Sequence, residues 1–131
     1  MTQYHADPVI RTIAMPSDTN PAGDIFGGWL MAQMDLAAGN LAARIARGRS
    51  ATIAVDAMTF LKPVKVGDEI SIYATLIEAG RSSMKILVET WRRDRYVDDT
   101  EQVTKATFTF VALDDEGRPR AHGVEAQPRQ A

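Results

Sequence analysis

Gly27-Gly28-Trp29-Leu30-Met31-Ala32-Gln33-Met34-Asp35-Leu36-Ala37-Ala38-Gly39-Asn40-Leu41-Ala42-Ala43-Arg44-Ile45-Ala46 decides the fold, because it reads as one long helix with the rest of the chain arranged about it. Ala, Leu and Met are good helix formers. At 1.5 Å per residue the helix is roughly 28 Å long. Apolar residues lie nearly all round it, the pattern of a buried helix. Into this surface the sequence places a single carboxylate, Asp35. On the helical wheel its neighbours are Gly28, Met31, Ala32, Ala38, Gly39 and Ala42, so the acid stands in a lane of small side chains. Such a lane can serve close approach to a sheet, or it can leave room for a ligand against the helix. No Lys or Arg sits at i±3 or i±4 to pair with Asp35. Charged groups are seldom fully buried without a partner, and carboxylates in such surroundings cluster at functional sites.

Upstream, Val9 to Met15 is a β-branched run closed by Pro16, a first strand. Ser17 to Asp24 is a cluster of turn formers without apolar periodicity. Phe26, Gly27 and Gly28 then deliver the chain into the helix. Two glycines there let other groups approach backbone N–H donors that lack an intrahelical partner, and a helix start favours negative charge. The same pair also permits tight helix-on-sheet contact. Asp24 is read as capping the helix start.

Downstream, Arg47-Gly48-Arg49 closes the helix with cations and Gly. Thr52 to Phe60 reads as a strand with Ile53, Val55 and Ala57 on one face and Ala54, Asp56, Met58 and Phe60 on the other. Glu69 to Glu78 alternates with Ile70, Ile72, Ala74 and Leu76 together. Ala79 to Ser83 makes a turn, and Met84 to Trp91 returns with Met84, Ile86 and Val88 inward. Arg92 to Glu101 reads as a charged loop, and Val103 to Leu113 as a last strand with Ala106, Phe108, Phe110 and Ala112 on one face. Residues 1–7 read as frayed and the tail after Arg120 as disordered. The expectation is an α+β fold, one antiparallel sheet wrapped on one helix, in a single domain over residues 1–131 with an ordered core near 9–120.

Composition narrows the chemistry. The 131 residues are 45% hydrophobic and 24% charged, with a net charge of -2, ordinary globular values. No basic face points to nucleic acid. There is no cysteine, which excludes disulfides, thiolate metal sites and a Cys nucleophile. The two histidines, His5 and His122, lie in polar terminal segments, which argues against imidazole catalysis or a His-ligated metal. No stretch approaches a membrane span, and no signal-peptide layout opens the chain. The expected location is cytoplasmic, with no membrane partner.

Ala14-Met15-Pro16-Ser17-Asp18-Thr19-Asn20, Gly23-Asp24-Ile25-Phe26-Gly27-Gly28-Trp29, Gln33-Met34-Asp35 and Met58-Thr59-Phe60-Leu61-Lys62-Pro63-Val64 resemble the YciA-type bacterial acyl-CoA thioesterases. Val66-Gly67-Asp68 and Gly80-Arg81-Ser82-Ser83 are similar to that family too, and the likeness runs in order from about Arg11 to Arg120. The resemblance implies a hot-dog fold and hydrolysis of acyl-CoA to a free acid and CoA. It implies that Asp35 is the catalytic carboxylate, as general base or nucleophile. A backbone N–H near Gly27 or Gly28 then polarises the thioester carbonyl. Asn20 matches a loop position beside the site, with a role in placing substrate or water, and Asp24 is near enough to orient it. Many relatives carry His before the glycine pair; here Phe26 offers no imidazole. The resemblance further implies a dimer at least, and for this family a trimer of dimers, with sites between subunits. CoA enters only as part of substrate and product, with no further cofactor and no metal. Its arm and phosphates call for Arg81, Ser82 and Ser83, with Thr59, Lys62, Arg118 and Arg120 as further candidates, since guanidinium binds phosphate oxygens with two prongs. The rival reading is an acyl-CoA sensor that binds without hydrolysis.

Overall fold

The computed structural model describes residues 7–124; the expectations for residues 1–6 and 125–131 lie outside the described residues. In chain order it contains β1 (Ile10–Ile13), a 3-10 turn (Pro16–Asp18), α1 (Gly27–Ala46), β2 (Ser50–Phe60), β3 (Glu69–Ala79), β4 (Ser83–Arg93) and β5 (Thr100–Ala112). The strands form one antiparallel sheet in the order β1-β3-β4-β5-β2. Period-2 alternation sets its inner face. Ile70, Ile72, Met84, Ile86, Val88, Ala106, Phe108, Phe110 and Ala112 are all buried there, against Leu30, Met34, Ala37, Ala38, Ala42 and Ala46 of α1. Fully burying a side chain such as Ile, Met or Phe is worth about 1.5–3 kcal/mol, so this layer is the main source of stability.

The helix is not buried all round. A single sheet can cover only one side of a helix, and on the other Met31 and Leu36 are 41% and 61% exposed. The expected charged loop is also shorter. β4 runs on to Arg93 and β5 begins at Thr100, because the charges pair across strands: Arg92 Nε donates to Glu101 at 2.7 Å and Arg93 Nε to Glu69 at 3.2 Å. Opposite charges on neighbouring strands stabilise pairing, yet a charged run carries no apolar alternation to announce a strand.

The simple two-face reading of β2 fails as well. Register shifts fall between Thr52 and Ala54 and between Asp56 and Thr59, and Ala57 adopts a left-handed φ of 54°. Each bulge turns the following residues over. β2 is an edge strand, and Ile53 on it is 60% exposed.

The chain after β5 is tied down as far as it is described. Arg47 ends α1 in the left-handed region, its N–H bonded to Ala43 O. Arg120 Nη2 then donates to Ala46 O at 2.7 Å and Nε to Leu113 O at 2.9 Å. A cation on the last carbonyls of a helix is favourably placed. Gly48 leaves room for it: a Cβ there would lie 2.7 Å from Arg120 Nη2, so the guanidinium would have to shift. His122, read as part of a loose tail, bonds through Nε2 to Ser83 O at 3.0 Å. No helix among the described residues is long and apolar enough to cross a membrane.

Candidate active site

The loop before α1 is built on Asn20. Its Oδ1 accepts the amides of Ala22 at 2.9 Å and Asp24 at 3.2 Å, while its own N–H donates to Asp24 O at 2.8 Å. This is the turn Asn makes with its own backbone. Asp24 does not cap the helix, contrary to expectation. Its carboxylate lies 3.4 Å from Lys65 Nζ, and the N-cap position is held by Phe26, which makes no side-chain cap. A phenyl ring has no acceptor for the N–H groups of the first turn. The first helix amide to find an acceptor is that of Trp29, on Phe26 O at 3.0 Å. Among the described residues, no hydrogen bond reaches the Gly27 or Gly28 amide.

Two grooves flank this helix start. One, of about 350 Å³, is lined by Ser17, Asp18, Thr19, Phe26, Gly28 and Trp29. The other, of about 240 Å³, is lined by Ile25, Gly27, Leu30, Phe60, Leu61, Lys62, Pro63 and Val64. Each glycine supports a phenyl ring: Phe60 lies 3.7 Å from where a Gly27 Cβ would stand, and Phe26 2.5 Å from that of Gly28.

Asp35 is half-buried and has a partner that the sequence reading missed. Thr52 Oγ1 donates to its Oδ1 at 2.6 Å. Thr52 reaches it through the sheet. It pairs with Phe110 of β5, and the Phe110 ring packs 3.5 Å from where a Gly39 Cβ would stand. Gly39 lies one turn beyond Asp35, at the corner where Phe110 of the sheet meets the helix. Part of the small-residue lane is therefore filled, with Ala38 and Ala42 buried and Gly39 under Phe110. No apolar period marks Thr52; only strand pairing across the chain brings it to Asp35.

The Arg81 turn stands at the same end of the sheet. Gly80 N–H donates to Ser83 O at 3.1 Å and to Ser83 Oγ at 3.2 Å, Ser82 O accepts Ala112 N–H, and Arg81 O accepts His122 N–H. Ser83 pairs with Val111, and Val111 with Ala51, the neighbour of Thr52. The turn is thus two strands, roughly 10 Å, from the Asp35 partner. Arg81 is exposed, as are Lys62, Thr59 and Arg118. Thr59 Oγ1 reaches no further than Ala57 O at 3.5 Å. Arg118 sits beyond β5, its N–H bonded to Asp114 Oδ1. Arg120 is taken up by Ala46 and Leu113, so it is a structural cation rather than a phosphate ligand.

The predicted residues, with Thr52 added by the structure, therefore fall into two groups within one chain. Asp35, Thr52 and the Arg81 turn lie at the Ser50 end of β2; Asn20, Asp24, Gly27, Gly28, Thr59 and Lys62 lie at its Phe60 end. Seven residue steps, about 10 Å along the helix axis, separate Gly28 from Asp35.

A family model described as the thioesterase superfamily matches residues 22–98. The acyl-CoA thioester hydrolase YciA of Escherichia coli K12 is 48% identical over 122 residues, spanning 91% of this chain and 92% of that protein. The hexameric thioesterase y2039 of Yersinia pestis has a TM-score of 0.85 at 50% identity, over 91% of this chain and 97% of that one. The acyl-CoA hydrolase of Staphylococcus aureus, solved with butyryl-CoA and CoA, has a TM-score of 0.85 at 34% identity, over 93% of this chain and 74% of that one. It has also been solved as three single mutants, in which an Asn, an Asp and a Thr are each replaced by Ala; in that order they are fifteen and seventeen residues apart. One helix on a five-stranded antiparallel sheet and these relatives agree: the chain belongs to the thioesterase superfamily, among the hot-dog-fold acyl-CoA thioester hydrolases of the YciA type.

Proposed function

We propose that this chain hydrolyses acyl-CoA to a free acid and CoA, with Asp35 as the reacting carboxylate. The observation that carries the reading is the Asp35–Thr52 hydrogen bond of 2.6 Å. It fixes one carboxylate oxygen and leaves the other to take a proton from water or to attack the thioester carbon itself. Asn20, Asp35 and Thr52 also stand fifteen and seventeen residues apart, the same separations as the three residues mutated in the Staphylococcus aureus hydrolase. Addition at the carbonyl carbon moves the C=O electron pair onto oxygen, where the Gly27 or Gly28 amide is the donor at hand. Collapse of that intermediate breaks the C–S bond, and where Asp35 itself has attacked, water then cleaves the acyl anhydride on its carboxylate to release the acid. A thiol of ordinary pKa near 8.5 leaves readily as thiolate, so the chemistry manages without an imidazole at the Phe26 position. The Arg81 turn and Lys62 supply cations for the CoA phosphates.

The reacting centre takes two copies. Antiparallel pairing of two β2 edges about a twofold axis sets the Phe60 end of one copy beside the Ser50 end of the other. Asp35 and Thr52 of one chain then meet the Gly27-Gly28 start of the second, which closes the gap left within a single chain. The protein is accordingly a homo-oligomer, in keeping with the hexameric Yersinia pestis relative.

The test is release of free thiol from acyl-CoAs of increasing chain length, with wild type and Asp35→Asn side by side. The chain contains no cysteine, so every thiol detected comes from CoA. We expect turnover by wild type and a loss of about a hundredfold or more in the variant, with CoA affinity nearly unchanged. Full activity in the variant would overturn the role of Asp35. Binding of acyl-CoA without turnover by either protein would make this chain a sensor.

A further inference from the structure

The wall of the Gly27 groove is an irregular segment, 61–67, between β2 and β3. Having no ladder of its own, it is held by its anchors. At one end Val103 O accepts the amides of Leu61 at 2.7 Å and Lys62 at 3.3 Å. In the middle Val64 O accepts Ile25 N–H at 3.4 Å, a long bond. The other end is held by Asp68, whose Oδ2 accepts Lys65 N–H at 2.8 Å and Arg92 Nη1 at 2.9 Å. Arg92 in turn donates to Glu101. Gly67, at φ +94°, turns its N–H to Ala14 O at 2.8 Å.

Closing this turn does not by itself require a charge, since a neutral Asn accepts the same amide. Here a carboxylate is only 3% exposed, a costly placement unless a cation meets it. Arg92, drawn from β4, is that cation. Burial opposes its charge, but the hydrogen bonds to Asp68 and then Glu101 prevail and raise its pKa above the ordinary guanidinium value. A group with a raised pKa contributes stability at every pH below its ordinary value and loses it only on the alkaline side, so Arg92 keeps its charge throughout the neutral range. The strength of this anchor is spent on a short segment whose exposed face carries Lys62 into the groove beside Gly27.

We propose that Asp68, held by Arg92, is a positioning residue that fixes segment 61–67 so that the groove beside Gly27 accepts the CoA arm of the substrate. The inference rests on the hydrolase reading above, and extends it to a residue that touches neither the thioester nor CoA. The nucleotide end of CoA lies beyond the reacting carbonyl, so a displaced wall weakens its binding and leaves the chemical step intact.

The experiment compares wild type with Asp68→Asn on two substrates of the same acyl group: the CoA thioester, and the N-acetylcysteamine thioester, which lacks the nucleotide. In Asp68→Asn we expect KM for acyl-CoA to rise about fivefold with kcat within about twofold. For the short thioester we expect kcat/KM to change by no more than about twofold. A lowered Tm with KM unchanged would mean that Asp68 only stabilises the fold, and would overturn the proposal. Equal losses on both thioesters would overturn it too, since the segment would then act on the helix start and not on the CoA arm. If Asp68→Asn fails to fold, Glu101→Gln, on the solvent side of the same guanidinium, is expected to raise KM for acyl-CoA about threefold and leave kcat/KM for the short thioester unchanged, and an unchanged KM there would overturn the proposal. Calorimetric titration with CoA alone is expected to give a Kd about fivefold weaker in Asp68→Asn whether or not any thioester is turned over. Wild type inert towards both thioesters would defeat the hydrolase reading, while the CoA titration would still decide the role of Asp68.

Discussion

At the scale of single residues, the proposed chemistry depends on what fixes Asp35. A carboxylate on an open helix face samples several rotamers; one bonded at 2.6 Å to Thr52 Oγ1 does not. Thr52→Val keeps the shape of the side chain and removes the hydroxyl. Hydrogen bonds to charged groups are worth about 1.5–3 kcal/mol, so kcat should fall on the order of tenfold or more with KM nearly constant. Steady-state kinetics on one acyl-CoA checks this, and a fall in Tm alone would instead mark Thr52 as structural. Asp35 stands out in the sequence as a candidate, because a lone acid among small residues breaks the apolar pattern of its helix. Its partner was not. Thr is common on strands, and nothing local separates Thr52 from Thr59 or Thr75. The misreading of Asp24 has a related cause: cap preferences favour Asp at a helix start, but the chain passes on to Phe26 before the helix begins.

At the scale of elements, the two-face alternation holds in β3, β4 and β5, whose inner faces run without a break in period against the core. β2 departs because its bulges and exposed edge obey no single period. The charged ends of β4 and β5 were missed because ion pairs, not apolar contacts, hold them together. The C-terminal end of α1 shows a third kind of hidden contact. Arg and Gly after Ala46 announce the stop, but the cation that bonds the last carbonyl comes from Arg120, beyond β5. Arg120→Ala should cost about 1–2 kcal/mol, two hydrogen bonds and a charge at a helix end, and lower Tm by several degrees. Thermal denaturation followed by circular dichroism measures it. Turnover per folded molecule should be unchanged, since Arg120 touches no residue of the proposed chemistry.

At the scale of the molecule, the sequence overstated how much one chain buries. The apolar character all round the helix was real, but part of it faces outward, with Leu36 at 61% exposure and Ile53 of β2 at 60%. An unpaired, apolar sheet edge invites another chain. Ile53→Lys puts a charge on that edge; size-exclusion chromatography should show a smaller species, and its thioesterase activity should be largely lost if the reacting centre is shared as proposed. A dissociated protein of full activity would confine the chemistry to one chain. The strand order has a different consequence, for how the chain is made. Ser50 of β2 pairs with Ala112 and Phe60 with Thr104, so the strand that follows the helix has its in-chain neighbour at the far end of the domain. During synthesis β2 emerges from the ribosome and waits without a partner until β5 has followed it. Such long-range pairing is slow and leaves edges exposed meanwhile. The hydroxyl of Thr52 thus comes to Asp35 only once the last strand is in place, and catalytic competence should be among the last properties the newborn chain acquires.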